Sequence, residues 1–119
     1  MIKNINDIRV YGVSFDLAMD IFDCTKQYPK EEKYSLTDQL RRSSRSIVAN
    51  ISEGWGKRQY PQTLKRHLID SLGSLEETKT WLKFSLDCGY LPEEKFKELF
   101  SRCEEVGSKL WVLHKNWKD

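Results

Sequence analysis

The stretch 39–54, QLRRSSRSIVANISEG, sets hydroxyl, amide, carboxylate and guanidinium groups at helical spacing. Advancing about 100° per residue from Leu40, the residues Leu36, Leu40, Ile47, Ile51 and Trp55 share one stripe suited to a core. Ser43, Ser46, Asn50 and Glu53 form a second stripe beside it. Half-buried polar groups cost about 1 to 3 kcal/mol each when unpaired, so this stripe predicts partners on another helix or another subunit. With Ser74 and Glu77 opposite, Arg42, Ser46, Asn50 and Glu53 would make a hydrogen-bonded polar layer. Such a layer sets helix register or subunit contact without catalysing anything.

The same region concentrates positive charge. Between positions 41 and 66 stand Arg41, Arg42, Arg45, Lys57, Arg58, Lys65 and Arg66, against the single acid Glu53. Cations at this density suit phosphates, and Trp55 or Tyr60 beside them could stack on an unpaired base. The plainer reading is a solvated face with ion pairs inside the molecule, each worth about 0 to 1 kcal/mol. The formal net charge is only +2, so a nucleic-acid partner is argued from the distribution of charge and not from its total. Asp16, Asp20 and Asp23, at i, i+4 and i+7, would draw a line of carboxylates along one face of the first helix.

Groups for catalysis are scarce. The chain has no HExxH, no glycine loop that would cradle a phosphate before a helix, and no nucleophile with a recognisable base beside it. Glu53, Glu77 and His67 could make a carboxylate and imidazole site within a bundle, yet the ExxH spacing of di-iron bundles is missing. His67 reads as a surface or boundary residue, and Glu76, Glu77 and Lys79 read as helix-surface charges. Cys24, Cys88 and Cys103 are far apart without CxxC spacing, which predicts reduced, buried thiols and no metal. The expectation is a non-enzymatic protein without a cofactor. Two functions remain open: a nucleic-acid-binding module using the seven cations, and a scaffold subunit that docks a larger protein partner.

The elements that must position these groups follow from length and period. The 119 residues suit one domain, 1–119. No apolar run approaches the roughly 20 residues needed to cross a bilayer, and MIKNINDIRV lacks the apolar core of a signal peptide, so a cytoplasmic location is expected. Residues 1–13 read as an extended arm. Ser14 would cap a first helix carrying Phe15, Ala18, Ile21 and Phe22 inward as far as Tyr28, before Pro29. After the charged KEEKYS, Ser35 and Asp38 resemble a capping box opening a second helix that runs to about Trp55. GWGKRQY marks a turn, and Pro61 stands where a helix best tolerates proline, at its first position. Leu64, Leu68, Ser71, Leu72, Leu75, Leu82 and Leu86 then hold one stripe for about 42 Å until Gly89. A last helix follows Leu91 and Pro92, with Phe96, Leu99, Phe100, Cys103, Val106, Leu110, Leu113 and Trp117 on one face. Four amphipathic helices with short connections predict an all-α, up-down-up-down antiparallel four-helix bundle. Tyr60, Trp81, Phe84 and Trp111 fall partly outside these stripes, as scattered surface aromatics or as an oligomer interface.

QLRRSSRSIVANISEGWG, followed by a leucine-rich helix with GSLEE at 73–77 and the DCGYL turn at 87–91, resembles the four-helix-bundle proteins of intervening sequences in bacterial 23S ribosomal RNA genes. The specific residues are Gln39, Leu40, Arg42, Ser43, Ser46, Ile47, Asn50, Ile51, Glu53 and Gly54, joined by Gly73, Ser74, Leu75 and Glu77. The resemblance implies a small up-down bundle and a homo-oligomer, with a ring-shaped pentamer favoured. It also implies kinship with the accessory protein of diversity-generating retroelements, which binds a reverse transcriptase and nucleic acid. That relative is strongly basic, whereas this chain is near neutral. In a ring, the acidic line of the first helix could meet the basic segment of a neighbour across each contact.

Overall fold

The computed structural model describes residues 1–118; Asp119, the last residue of the expected domain, lies outside them. Apolar spacing resolves into four helices, α1 (Arg9–Thr25), α2 (Leu36–Gly56), α3 (Pro61–Asp87) and α4 (Glu93–Asn116). The connections 26–35, 57–60 and 88–92 are too short for crossovers, so successive helices run antiparallel. Both α1 and α3 pack on α2 and on α4, and the α2–α3 contact is the most extensive. The result is an all-α, up-down-up-down bundle measuring 46 × 25 × 19 Å. Leu17, Ile21, Leu40, Ile47, Ile51, Leu64, Leu68, Leu82, Leu99 and Leu110 are all but inaccessible at its centre. At about 25 cal/mol per Å² of apolar surface removed from water, this centre is the main stabilising term. No described helix is long and apolar enough to cross a membrane.

The N-terminus departs from the expected extended arm. Asn4 Oδ1 accepts from the Asn6 amide at 2.8 Å, while Asp7 Oδ2 accepts from the Asn4 amide at 3.1 Å and the Lys3 amide at 2.8 Å. This reciprocal cap starts a 3₁₀ turn at Ile5–Asp7, and α1 follows from Arg9. Ser14 is consequently no cap. It lies buried inside α1 and donates to the Tyr11 carbonyl at 3.1 Å. The inward stripe is Val10, Ser14, Leu17, Ile21 and Thr25, which leaves Phe15 and Met19 about half exposed.

The start of α2 also differs from expectation. Ser35 makes no side-chain cap; instead its hydroxyl donates to Glu32 Oε1 at 2.6 Å, and the same carboxylate accepts from the Leu36 amide at 3.3 Å. The Glu32 carboxylate thus takes the first amide of α2, and the Ser35 amide expected to be met by Asp38 donates to the Glu32 carbonyl at 3.0 Å. The other Glu32 oxygen accepts from Tyr90 Oη at 2.9 Å, tying the α1–α2 connection to the α3–α4 turn. The Ser35, Tyr90 and Leu36 hydrogen bonds hold the Glu32 carboxyl below its usual range, and the Tyr90 phenol is pushed up to about 12, chiefly by Glu32. Pro61 opens α3 as expected, and Gly89, at φ +78°, closes the turn after it.

On α4, Leu99, Cys103, Val106 and Leu110 are buried. Burial pushes the Cys103 thiol up to about 12, so it is an inert core group. The expectation of three buried thiols is corrected at Cys88, which is exposed just beyond the end of α3, and Cys24 is half-buried.

Candidate nucleic-acid interface

The polar stripe of α2 meets a matching stripe of α3. Thr78 Oγ1 is 2.9 Å from both Ser43 Oγ and the Ser74 carbonyl, and Ser46 Oγ is 2.8 Å from Ser74 Oγ. Ser71 donates to the Ile47 carbonyl at 2.8 Å. Asn50 Nδ2 donates to the Ser46 carbonyl at 3.0 Å and lies 3.2 Å from Ser46 Oγ, while its Oδ1 stands 3.1 Å from His67 Nδ1. Successive contacts advance along α2 as they retreat along α3, forming a polar seam that sets the register of the antiparallel pair. The seam ends at a close approach of the two helices: a Cβ at Gly54 would lie 3.1 Å from His67 Cβ. From there Lys57 reaches back, with Nζ 3.2 Å from His67 Nε2.

Membership of this seam differs from the expected layer. Ser46, Asn50 and Ser74 belong to it, but Arg42, Glu53 and Glu77 are exposed. Glu77 Oε2 accepts from Trp81 Nε1 at 3.0 Å within α3. Glu53, Glu77 and His67 therefore form no common carboxylate and imidazole site. Ser71, Thr78 and His67 take the vacant places. Their signal was present in the sequence, because His67, Ser71, Ser74 and Thr78 fall at i, i+4, i+7 and i+11 beside the leucine stripe. Among the described residues no group of three His, Cys, Asp or Glu side chains is placed to hold a metal ion.

The seven expected phosphate ligands do not form one patch. Arg41 is half-buried against α1: Nε donates to Thr25 Oγ1 at 2.8 Å, and the guanidinium stands 4.6 Å from the Phe22 ring centroid. Arg45 is exposed, 5.5 Å from the same ring. Arg42 is exposed near the start of α2, about 22 Å along the helix from Lys57. Lys65 is half-buried on α3. Lys57 and Arg58 are exposed at the α2–α3 turn, and Arg66 is exposed on the outward face of α3 within three turns of it. Arg58 donates to the Trp55 carbonyl at 3.0 Å and its guanidinium lies 3.9 Å from the Trp55 ring centroid. Tyr60, 69% exposed, completes a turn that is basic and aromatic together. Trp117, just past α4, meets Trp55 edge-on at 6.4 Å, which brings the basic end of α4, with Lys115 and Lys118, to the same end of the bundle.

Among the described residues six cations elsewhere, Lys26, Lys79, Lys95, Lys97, Arg102 and Lys109, have a carboxylate within ion-pair distance. Asp20 on α1 accepts from Lys95 Nζ at 3.0 Å and Arg102 Nη1 at 2.6 Å on α4. Burial alone would raise the Asp20 carboxyl; the hydrogen bonds and charges of Lys95 and Arg102 more than reverse this and leave it below its ordinary 3.8. Asp23 pairs with Lys26 at 3.3 Å. Of the acidic line of α1, Asp20 is thus used inside the molecule, whereas Asp16 and Asp23 are exposed. By contrast, Arg42, Arg45, Lys57, Arg58 and Arg66 have no carboxylate at ion-pair distance among the described residues.

With this geometry in view, the comparison with known families is decisive, because a family model matches residues 6–111. The chain belongs to the 23S rRNA-intervening sequence protein family. Its four-helix bundle is similar to the crystal structure of a protein of unknown function from the S23 ribosomal protein family of Bacteroides thetaiotaomicron. The TM-score is 0.81 and the identity 26%, over 90% of this chain and 96% of that one. No curated protein matches this chain.

Proposed function

We propose that this protein is a non-enzymatic, oligomeric nucleic-acid-binding module that engages RNA or DNA backbones at the end of the bundle formed by the α2–α3 turn. The observation that carries this is the set of exposed cations Lys57, Arg58 and Arg66 beside Trp55 and Tyr60, with no carboxylate at ion-pair distance among the described residues. Cations with carboxylate partners are occupied by the fold, whereas these remain available to phosphates. The arginine and aromatic pair suits a single strand, whose bases stack on a planar surface. A few phosphate contacts per subunit bind weakly at physiological salt, and repetition in an oligomer would add avidity.

The test is fluorescence anisotropy of labelled structured RNA and single-stranded DNA over about 50 to 200 mM salt. Saturable binding that weakens steeply with salt is expected, together with a flatter salt slope for the combined Lys57→Ala, Arg58→Ala and Arg66→Ala variant. No binding at low salt would leave the second reading, a scaffold that docks a larger protein. One observation favours that reading: Tyr11, Phe15, Ala18, Met19, Val48 and Ala49 line an apolar groove of about 340 Å³ between α1 and α2.

A further inference from the structure

His67 reads in the sequence as a surface or boundary residue of α3, and its two ring nitrogens face groups of different character. The Ser46 carbonyl can only accept, so the Asn50 amide must turn Nδ2 toward it and Oδ1 toward His67 Nδ1. Nδ1 therefore carries the hydrogen, and Nε2 offers its lone pair to the Lys57 ammonium 3.2 Å away. The neutral imidazole satisfies both neighbours. A proton added at Nε2 turns the acceptor into a donor and sets two cations face to face at a spacing that only an intervening anion makes favourable.

We propose that Lys57 and His67 form a phosphate clamp that closes on uptake of one proton at His67 Nε2. This deepens the nucleic-acid reading above and rests on it for the natural ligand. His67 is anchored by Asn50 and by the close approach of Gly54, whereas Lys57 is exposed on the turn, so the lysine swings aside and a phosphate oxygen enters to accept from both nitrogens. The charged residues within about one turn of the clamp along the chain are Glu53 and Arg58 beside Lys57, and Lys65, Arg66 and Asp70 beside His67, while Lys115 and Lys118 stand at the same end of the bundle. Neither α1 nor α4 contributes a hydrogen bond to it among the described residues. A phosphodiester keeps its single charge across neutral pH, so the proton is taken up by the protein. By linkage, acid strengthens phosphate binding and phosphate favours the protonated imidazole.

Two measurements test this. In the first, anisotropy with labelled single-stranded RNA at constant low ionic strength compares pH 7.5 with pH 5.5. The wild type is expected to tighten about three- to tenfold, His114→Gln to do the same, and His67→Gln to bind without the gain. Binding with the full gain retained in His67→Gln overturns the clamp while leaving the nucleic-acid reading standing. Absence of binding at either pH removes that reading, and the clamp is then judged by the second measurement. Imidazole NMR titrations of the wild type with and without sulfate, a phosphate mimic of constant charge over this range, follow both histidines. A rise in the His67 midpoint with sulfate, and none at His114, is expected; an unmoved His67 midpoint overturns the clamp.

Discussion

The Arg41 guanidinium is held against α1 by the Thr25 hydroxyl and the Phe22 ring, while Lys57, sixteen positions later, extends from an open turn. The first side chain closes a seam between helices; the second is exposed, with the His67 ring nitrogen beside it. Arg41→Ala is therefore expected to lower stability by about 1 to 2 kcal/mol through lost packing, cation–π contact and a partly buried hydrogen bond. It should leave the salt dependence of nucleic-acid binding unchanged. Chemical denaturation and the salt series read the two effects separately, and an unaltered denaturation midpoint with a flatter salt slope would return Arg41 to the phosphate ligands. Asp20 is a residue of the first kind. Its carboxyl is lowered in the fold, so its contribution is complete above about pH 5, where an unfolded aspartate is largely ionised, and is lost as pH falls through the lower folded value. Asp20→Asn is expected to remove part of the acid-side loss of stability between pH 5 and pH 2, as read by denaturation at each pH. An identical profile in that variant would show that the bridge to Lys95 and Arg102 contributes nothing.

Between elements, the α2–α3 pair combines a polar seam with a glycine contact. At Gly54 an added Cβ meets His67 Cβ at 3.1 Å and the Leu64 carbonyl at 3.4 Å, both attached to the neighbouring backbone and unable to swing away. Gly73 has nothing within 4 Å. Alanine relieves a helix-interior glycine of about 1 kcal/mol at either site, but at Gly54 overpacking of about 1 to 3 kcal/mol opposes it. Gly73→Ala should consequently raise the Tm by a few degrees and Gly54→Ala should lower it, measured by thermal circular dichroism. Equal shifts in the same direction would mean that the two helices relax apart without cost. The four-helix pattern, the proline start of α3 and the glycine stop after it were all legible from spacing and backbone preference. Helix starts were less so: Ser14 and Ser35 have the right chemistry for caps, but α1 opens at Ile8 without a side-chain cap, behind a 3₁₀ turn capped by Asn4 and Asp7, and Glu32 takes the first amide of α2. Capping depends on which oxygen reaches an amide in space, and several candidates near each start satisfy the one-dimensional rule.

For the whole molecule, the exposed apolar surface is divided. Phe15 and Met19 line the α1–α2 groove, and Trp111 and Val112 are more than half exposed on α4. Two unlike patches suit head-to-tail contacts between copies, the geometry that closes into rings. We expect Phe15→Glu combined with Met19→Glu to lower the assembly's mass in native mass spectrometry while retaining helix content. A monomeric wild type, or an assembly of unchanged mass in the variant, would leave the groove without a role in oligomerisation.

Period and composition were enough to establish an all-α bundle, its antiparallel order and most of its core, because burial acts on whole helical faces and repeats every three to four residues. They also showed that the polar face of α2 needed partners. Only the tertiary structure decided which partners: Ser71, Thr78 and His67 joined the seam, Glu53 and Glu77 were left outside it, and a run of seven cations was split between structural and open positions. Neighbouring residues on a helix point in different directions, about 100° apart, so a charged run in one dimension is not a charged patch in three. Whether a cation is free for phosphate depends on what the facing helix presents to it, which is fixed by packing across the bundle.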